Sequence, residues 1–237
     1  MDRGTRRGML RCDAVLLAAV LFLVLTVASM VLYPGSTDHD HSTTHYSFTD
    51  NFFSDLGATR TYADQGNLAS SVFFTLALTL VGLALVFFGL TFRVILSMGQ
   101  RMGSVGVTSA IACAIAGLAF IGITAFPENV SETMHIFFVK VAFGSLLVYV
   151  VLVTVLQVAN GWAHLYVGLN VVYLVLLAGY VGLLFFGPGL ETVSGLRVQA
   201  IGQKVIVYSS MIDLAFQAYG IRLYLLVNSG GEKSAAG

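Results

Sequence analysis

Two lysines, Lys140 and Lys204, stand inside long apolar runs of this chain. A charge near the middle of a bilayer costs about 2.5–3.5 kcal/mol on insertion scales, so such a residue pairs, serves a ligand, or extends its head to the interface. Lys140 lies about two turns into its run from the outer end, roughly 10 Å deep at 1.5 Å per residue. Lys204 lies at a matching depth in another run, beside Gln203. Facing inward together, the two make a cationic spot. That spot suits either an ion-pair network with Asp50, Asp55 or Glu132, or a lipid phosphate or carboxylate entering sideways. His135 opens the run that holds Lys140, with Glu132 three residues earlier on the same helical face. With Asp50 or Asp55 it could activate water or hold a metal. Further along, Gln203, Ser210, Asp213 and Gln217 recur at offsets of 7, 10 and 14, which is one face of a helix. Such a face bonds helices together or lines a path. His39, His41 and His45, interleaved with Asp38 and Asp40, have the donor types for a divalent metal. Their spacing matches no known site, and the expectation is a solvated linker without metal or other cofactor.

The elements that must position these residues are membrane helices. Of 237 residues, 57% are hydrophobic and 10% charged, with mean hydropathy +0.86. Soluble domains carry about 25% charged residues, so this chain cannot cover a water-facing surface. Apolar runs occupy 14–33, 68–92, 105–126, 133–158, 163–186 and 198–227. Each is long enough for a helix to cross a hydrocarbon core of roughly 30 Å. Barrel strands would be about half that length and would alternate in polarity, which these do not. Since lipid satisfies no backbone group, an all-α bundle of six transmembrane helices is the expected fold. Residues 1–13 form a basic N-terminal segment before a retained first helix, because the apolar run is too long for a signal-peptide core and no small-x-small site ends it. Residues 34–67 form one long external loop, and 228–237 a disordered tail.

Six spans place both termini on one side. That side collects Arg3, Arg6, Arg7, Arg11, Arg93, Arg101, Arg222 and Lys233, against Arg60 and Arg197 on the other. The positive-inside rule makes the Arg-rich side cytoplasmic, in the cell (plasma) membrane. The external connections hold Asp38, Asp40, Asp50, Asp55, Asp64, Glu128, Glu132 and Glu191. Net charge is zero, which gives no case for nucleic acid. Cys12 and Cys113 lie in different runs and form no CxxC, so they read as inert thiols. No P-loop, dinucleotide fingerprint, HExxH or GxSxG occurs.

Within the long loop, Tyr46–Arg60 mixes aromatics and acids, as an amphipathic element at the membrane interface would. Phe53-Ser-Asp-Leu-Gly-Ala58 resembles the I-S-D-x-G signature of the Frag/DRAM/Sfk six-span group. It is also similar to the I-S-x-L-G motif of its prokaryotic relatives of unknown function (DUF998-like). Gly117 through Pro127, followed by His135 and an apolar run to Gln157, resembles the third and fourth spans of both. The resemblance covers about 48–157 and implies a six-helix bundle with a role in membrane lipid or signalling. It implies no mechanism, and it assigns nothing to Lys204 or Asp213.

The leading expectation is a membrane protein, not evidently an enzyme. It would bind a lipid headgroup or another membrane-soluble ligand in an outward-opening pocket formed by Asp50, Asp55, Arg60, His135, Lys140 and Lys204. Its partners would be membrane lipids, and a second copy or another membrane protein is also open. Two alternatives stay open. One is an intramembrane lipid hydrolase or transferase using Asp55 and His135. The other is a small transporter using Asp213 and Lys204.

Overall fold

In the computed structural model the protein is all-helical, and the structure describes residues 3–89, 91 and 103–234. Among the described residues six long helices follow one another: α1 Arg3–Leu32, α2 Leu68–Gly89, α3 Gly103–Ala125, α4 Glu132–Ala159, α5 His164–Phe186 and α6 Val193–Ser234. A 3₁₀ turn, Ser54–Gly57, interrupts the long loop. The only β-pairing among the described residues is a bridge between Arg60 and Gly66. Helices α1 to α5 are each long and apolar enough to cross a membrane. The sixth carries Arg197, Lys204, Asp213 and Arg222 along its length. Two boundaries differ from the sequence expectation. The basic residues from Arg3 to Arg11 belong to α1 itself, and α6 continues as helix to Ser234, where a disordered tail was expected from 228. Arg93 and Arg101 lie outside the described residues.

Each helix packs on its neighbour in sequence, and α6 returns to α1, so the six close into a ring. Short connections force sequential helices to lie antiparallel, and the apolar faces turn inward on a continuous core. The tightest seam is α2–α3. A Cβ on Gly82 would stand 2.6 Å from the Gly117 carbonyl oxygen, and one on Gly117 would run into the Gly82 carbonyl. Only glycine lets these backbones approach so closely. Helix α5 buries the smallest share of its surface among the five apolar helices. Ion pairs tie α6 at both ends, Arg222 to Asp13 of α1 and Arg197 to Asp50 of the loop, each at 2.6 Å.

The long loop is folded over one mouth of the ring as a lid. Gly35 and Ser36 both take positive φ, and the Ser36 N–H donates to the Thr43 carbonyl (2.8 Å), which turns the chain back on itself. A side chain at Gly35 would collide with Thr43 and Thr44. Phe53 drops into the ring, its centroid 5.9 Å from Phe22 of α1, 5.4 Å from Phe74 of α2 and 5.8 Å from Tyr208 of α6. Phe48 is exposed.

Candidate functional site

The loop motif is built around one buried carboxylate. Asp55 sits in the 3₁₀ turn and is 3% exposed. Its Oδ2 accepts from Asn51 Nδ2 (2.9 Å) and the Phe52 N–H (3.0 Å), and its Oδ1 accepts from the Tyr62 hydroxyl (3.2 Å). Asn67 Nδ2 spans the turn from below, donating to the carbonyls of Asp55, Leu56 and Ala58. Burial, and after it the Glu128 charge, push the Asp55 carboxyl up to about 7, against the pull of these bonds. Asn51, Tyr62 and Asn67 are structural partners that sequence reasoning missed. The only signal was the Asn51–Asp55 spacing, and loop residues have no periodicity to interpret.

Lys204 holds this motif to the helices. Its side chain is wholly buried, and Nζ donates to the carbonyls of Asn51 and Ala200. It stands over the Tyr46 ring at 5.4 Å and the Phe48 ring at 5.2 Å. The adjacent Gln203 accepts the Phe53 N–H at 2.6 Å. Lys204 therefore serves the lid, satisfied by backbone and aromatic faces rather than by a carboxylate at ion-pair distance. Lys140 has a different setting: it is half-buried, with Nζ 5.0 Å over the Phe185 ring of α5.

Three neighbouring voids lie at the top of the ring. The central one has a cavity volume of about 40 Å³ and is walled by Phe22, Phe74, Leu78, Phe120, Phe143 and Met211, with Phe53 above. A lateral groove of about 230 Å³ lies between α4, α5, α6 and the lid, and it presents Glu128, Glu132, His135, Lys140, Gln199 and Gln203. Groove and central cavity share Ser54, His135, Val139 and Gln203. An outer chamber of about 120 Å³ is lined by Tyr33, Asp55, Arg60, Thr61, Tyr62 and Glu128. Glu128 borders both groove and outer chamber; burial raises its pKa, opposed by the His135 charge and a 3.2 Å bond from the Ser54 hydroxyl.

The six residues expected to form one pocket are thus divided. His135 and Lys140 share the groove, and Asp55 and Arg60 share the outer chamber. Lys204 lies behind the lid. Asp50 faces Arg197 at the surface; against the upward push of burial, bonds from Thr49, Arg197 and Ser47 hold it down at about 2. No hydrogen bond joins Asp55 to His135 among the described residues. His135 Nδ1 lies 3.0 Å from the Phe126 carbonyl, which can only accept. Nδ1 therefore carries the proton, and in the neutral ring Nε2 is left as an acceptor. Of the loop histidines, His39 Nε2 meets the Leu190 carbonyl (3.0 Å), His41 stacks on Tyr62 and His45 is exposed. No three His, Cys, Asp or Glu among the described residues are grouped to hold a metal.

The polar face of α6 continues inward. The Ser210 and Tyr173 hydroxyls lie 2.7 Å apart, Gln217 Nε2 donates to Asp213 Oδ1 (3.1 Å), and Gln157 of α4 donates to Gln217 Oε1 (2.6 Å). These bonds join α4, α5 and α6. Asp213 also borders a small inner void of about 20 Å³ that shares Phe120, Ser210 and Met211 with the central cavity.

A family model described as "Protein of unknown function (DUF998)" matches residues 16–212. No curated protein and no solved structure matches the chain.

Proposed function

Because this chain belongs to the DUF998 family, whose function is unknown, its activity has to be argued from the site, and we propose that it binds a membrane amphiphile. The headgroup occupies the groove beside His135, Lys140 and Gln203, and the apolar chain enters the central cavity. One observation carries this reading: a groove that presents charged side chains and an apolar cavity lie side by side, with Ser54, His135, Val139 and Gln203 lining both. Ligand sites are mostly apolar with a few convergent polar groups, and this pair has that character. Lys140 supplies the positive charge for a phosphate or carboxylate, and the sparse packing of α5 offers a sideways entry from the bilayer. In this proposal all six helices span the plasma membrane, with both termini cytoplasmic and the acidic lid outside. The resemblance to the Frag/DRAM/Sfk group supports a lipid-linked role.

The test is mass spectrometry of lipid that copurifies with the protein. Lys140→Ala with Gln203→Leu should reduce tightly bound lipid at least fivefold, and Val139→Trp should do the same by filling the junction. Equal lipid in all three proteins would sink the reading.

A second reading, transport, is favoured by the succession of three neighbouring voids between the groove and Asp213. Protein-dependent flux in liposomes that survives Asp213→Asn would remove Asp213 from such a path.

A further inference from the structure

We propose that the outer chamber is a second binding site, distinct from the groove, and that it receives a primary ammonium group. Its lining is rich in acceptors and poor in free cations. Asp55 and Glu128 both face it, and neither has a Lys, Arg or His at ion-pair distance among the described residues. Each nearby cation is already engaged. Arg60, on the rim, is bound to the carboxylate of Asp64 (3.1 Å) and to its carbonyl (3.0 Å). Lys204 is turned to the backbone beneath the lid, and His135 holds Phe126 on the groove side.

A second observation is independent of the acids. Thr61 is 6% exposed, lines the chamber, and its Oγ1 has no hydrogen-bond partner. A buried polar atom left unsatisfied is costly in a folded protein, which marks a place where a ligand group belongs. An R–NH₃⁺ group brings three donors and one positive charge. It matches two carboxylates and one unpartnered hydroxyl, and the Tyr33 and Tyr62 rings add aromatic walls of the kind that suit a cation. The chamber's cavity volume of about 120 Å³ far exceeds the roughly 10–15 Å³ that one water needs. That favours an organic amine over a bare metal ion. The raised Asp55 carboxyl, pushed up by burial and by Glu128, is the condition a bound cation relieves.

The experiment uses the full chain in detergent and in lipid nanodiscs. Ethanolamine hydrochloride, titrated at constant ionic strength, should raise the unfolding temperature saturably by several degrees. Choline, which lacks N–H donors, should have at least tenfold weaker effect. Thr61→Val and Glu128→Gln should each weaken the apparent ethanolamine affinity about tenfold. These two are chosen because Asp55→Asn, at the centre of the lid, could act through folding alone. In nanodiscs of phosphatidylcholine with a minor share of phosphatidylethanolamine, enrichment of the amino lipid around wild type but not Thr61→Val identifies a headgroup as the source of the amine. No enrichment together with an ethanolamine response identifies a free amine. Absence of any saturable ethanolamine response, a response unchanged in both variants, or a larger response to calcium chloride than to ethanolamine would each overturn the proposal. Thr61 does not line the groove, so its variant reads the chamber alone and the two sites can fail separately.

Discussion

At the residue scale, Asp55 and Lys204 set the behaviour of the lid. The folded protein holds the Asp55 proton up to about pH 7, against an ordinary carboxyl value of 3.8. A raised carboxyl means that the native state binds the proton more tightly than the unfolded chain, so stability falls as pH rises between those values. The unfolding temperature should therefore decline between about pH 4 and 7. Asp55→Asn should flatten much of that slope, since an asparagine oxygen still accepts from Asn51 and Phe52. Glu128, also raised, adds slope of the same sign that this variant keeps. A wild-type slope retained in full by Asp55→Asn would contradict the assignment. For Lys204, replacement by methionine keeps the volume and removes the bond to Asn51. A hydrogen bond from a charged donor contributes about 1.5–3 kcal/mol, so amide exchange in residues 46–60 should rise tenfold or more while the helices stay protected. Both lysines were conspicuous in the sequence, but their different fates were not legible there. The partners of Lys204 are a backbone carbonyl and two rings, and a backbone acceptor leaves no trace in residue types.

At the scale of elements, the six apolar runs predicted helix positions to within a few residues for α2 to α5, because lipid leaves the backbone no other way to bond. Which face of each helix turns inward was harder to see. Membrane helices are apolar all round, so the usual contrast between faces is weak. Small residues carry more information: Ala110 and Gly117 of α3 lie against Gly89 and Gly82 of α2. Gly117→Ala should force this seam apart and cost about 1–3 kcal/mol, the usual penalty of overpacking. Gly168→Ala on α5, where no atom lies within 4 Å of the added Cβ, should cost nothing measurable. Thermal unfolding of the two variants in one detergent makes the comparison, and equal losses would show that the seam is not as tight as described.

At the scale of the whole molecule, the α1–α6 contact and the lid decide how the chain sits and closes. If α6 spans the bilayer with the other five, tags at the N- and C-termini report the same, cytoplasmic side, and a cysteine placed at Asp64 labels from outside. Termini on opposite sides would mean that only five helices cross. The ring closes between the first helix made and the last, and the lid's anchor on α6 comes as late. Asn51 and Lys204, which meet through a single hydrogen bond, are 153 residues apart in the chain. At a synthesis rate of about 5–20 residues per second, the lid waits ~8–30 s for its lysine. During that interval the cavity wall lacks one stave and lies open to the surrounding lipid. On the proposed amphiphile-binding reading, an acyl chain that enters then would be enclosed when α6 docks. A ligand so acquired during biogenesis should exchange in the finished molecule slowly compared with its uptake by the nascent one.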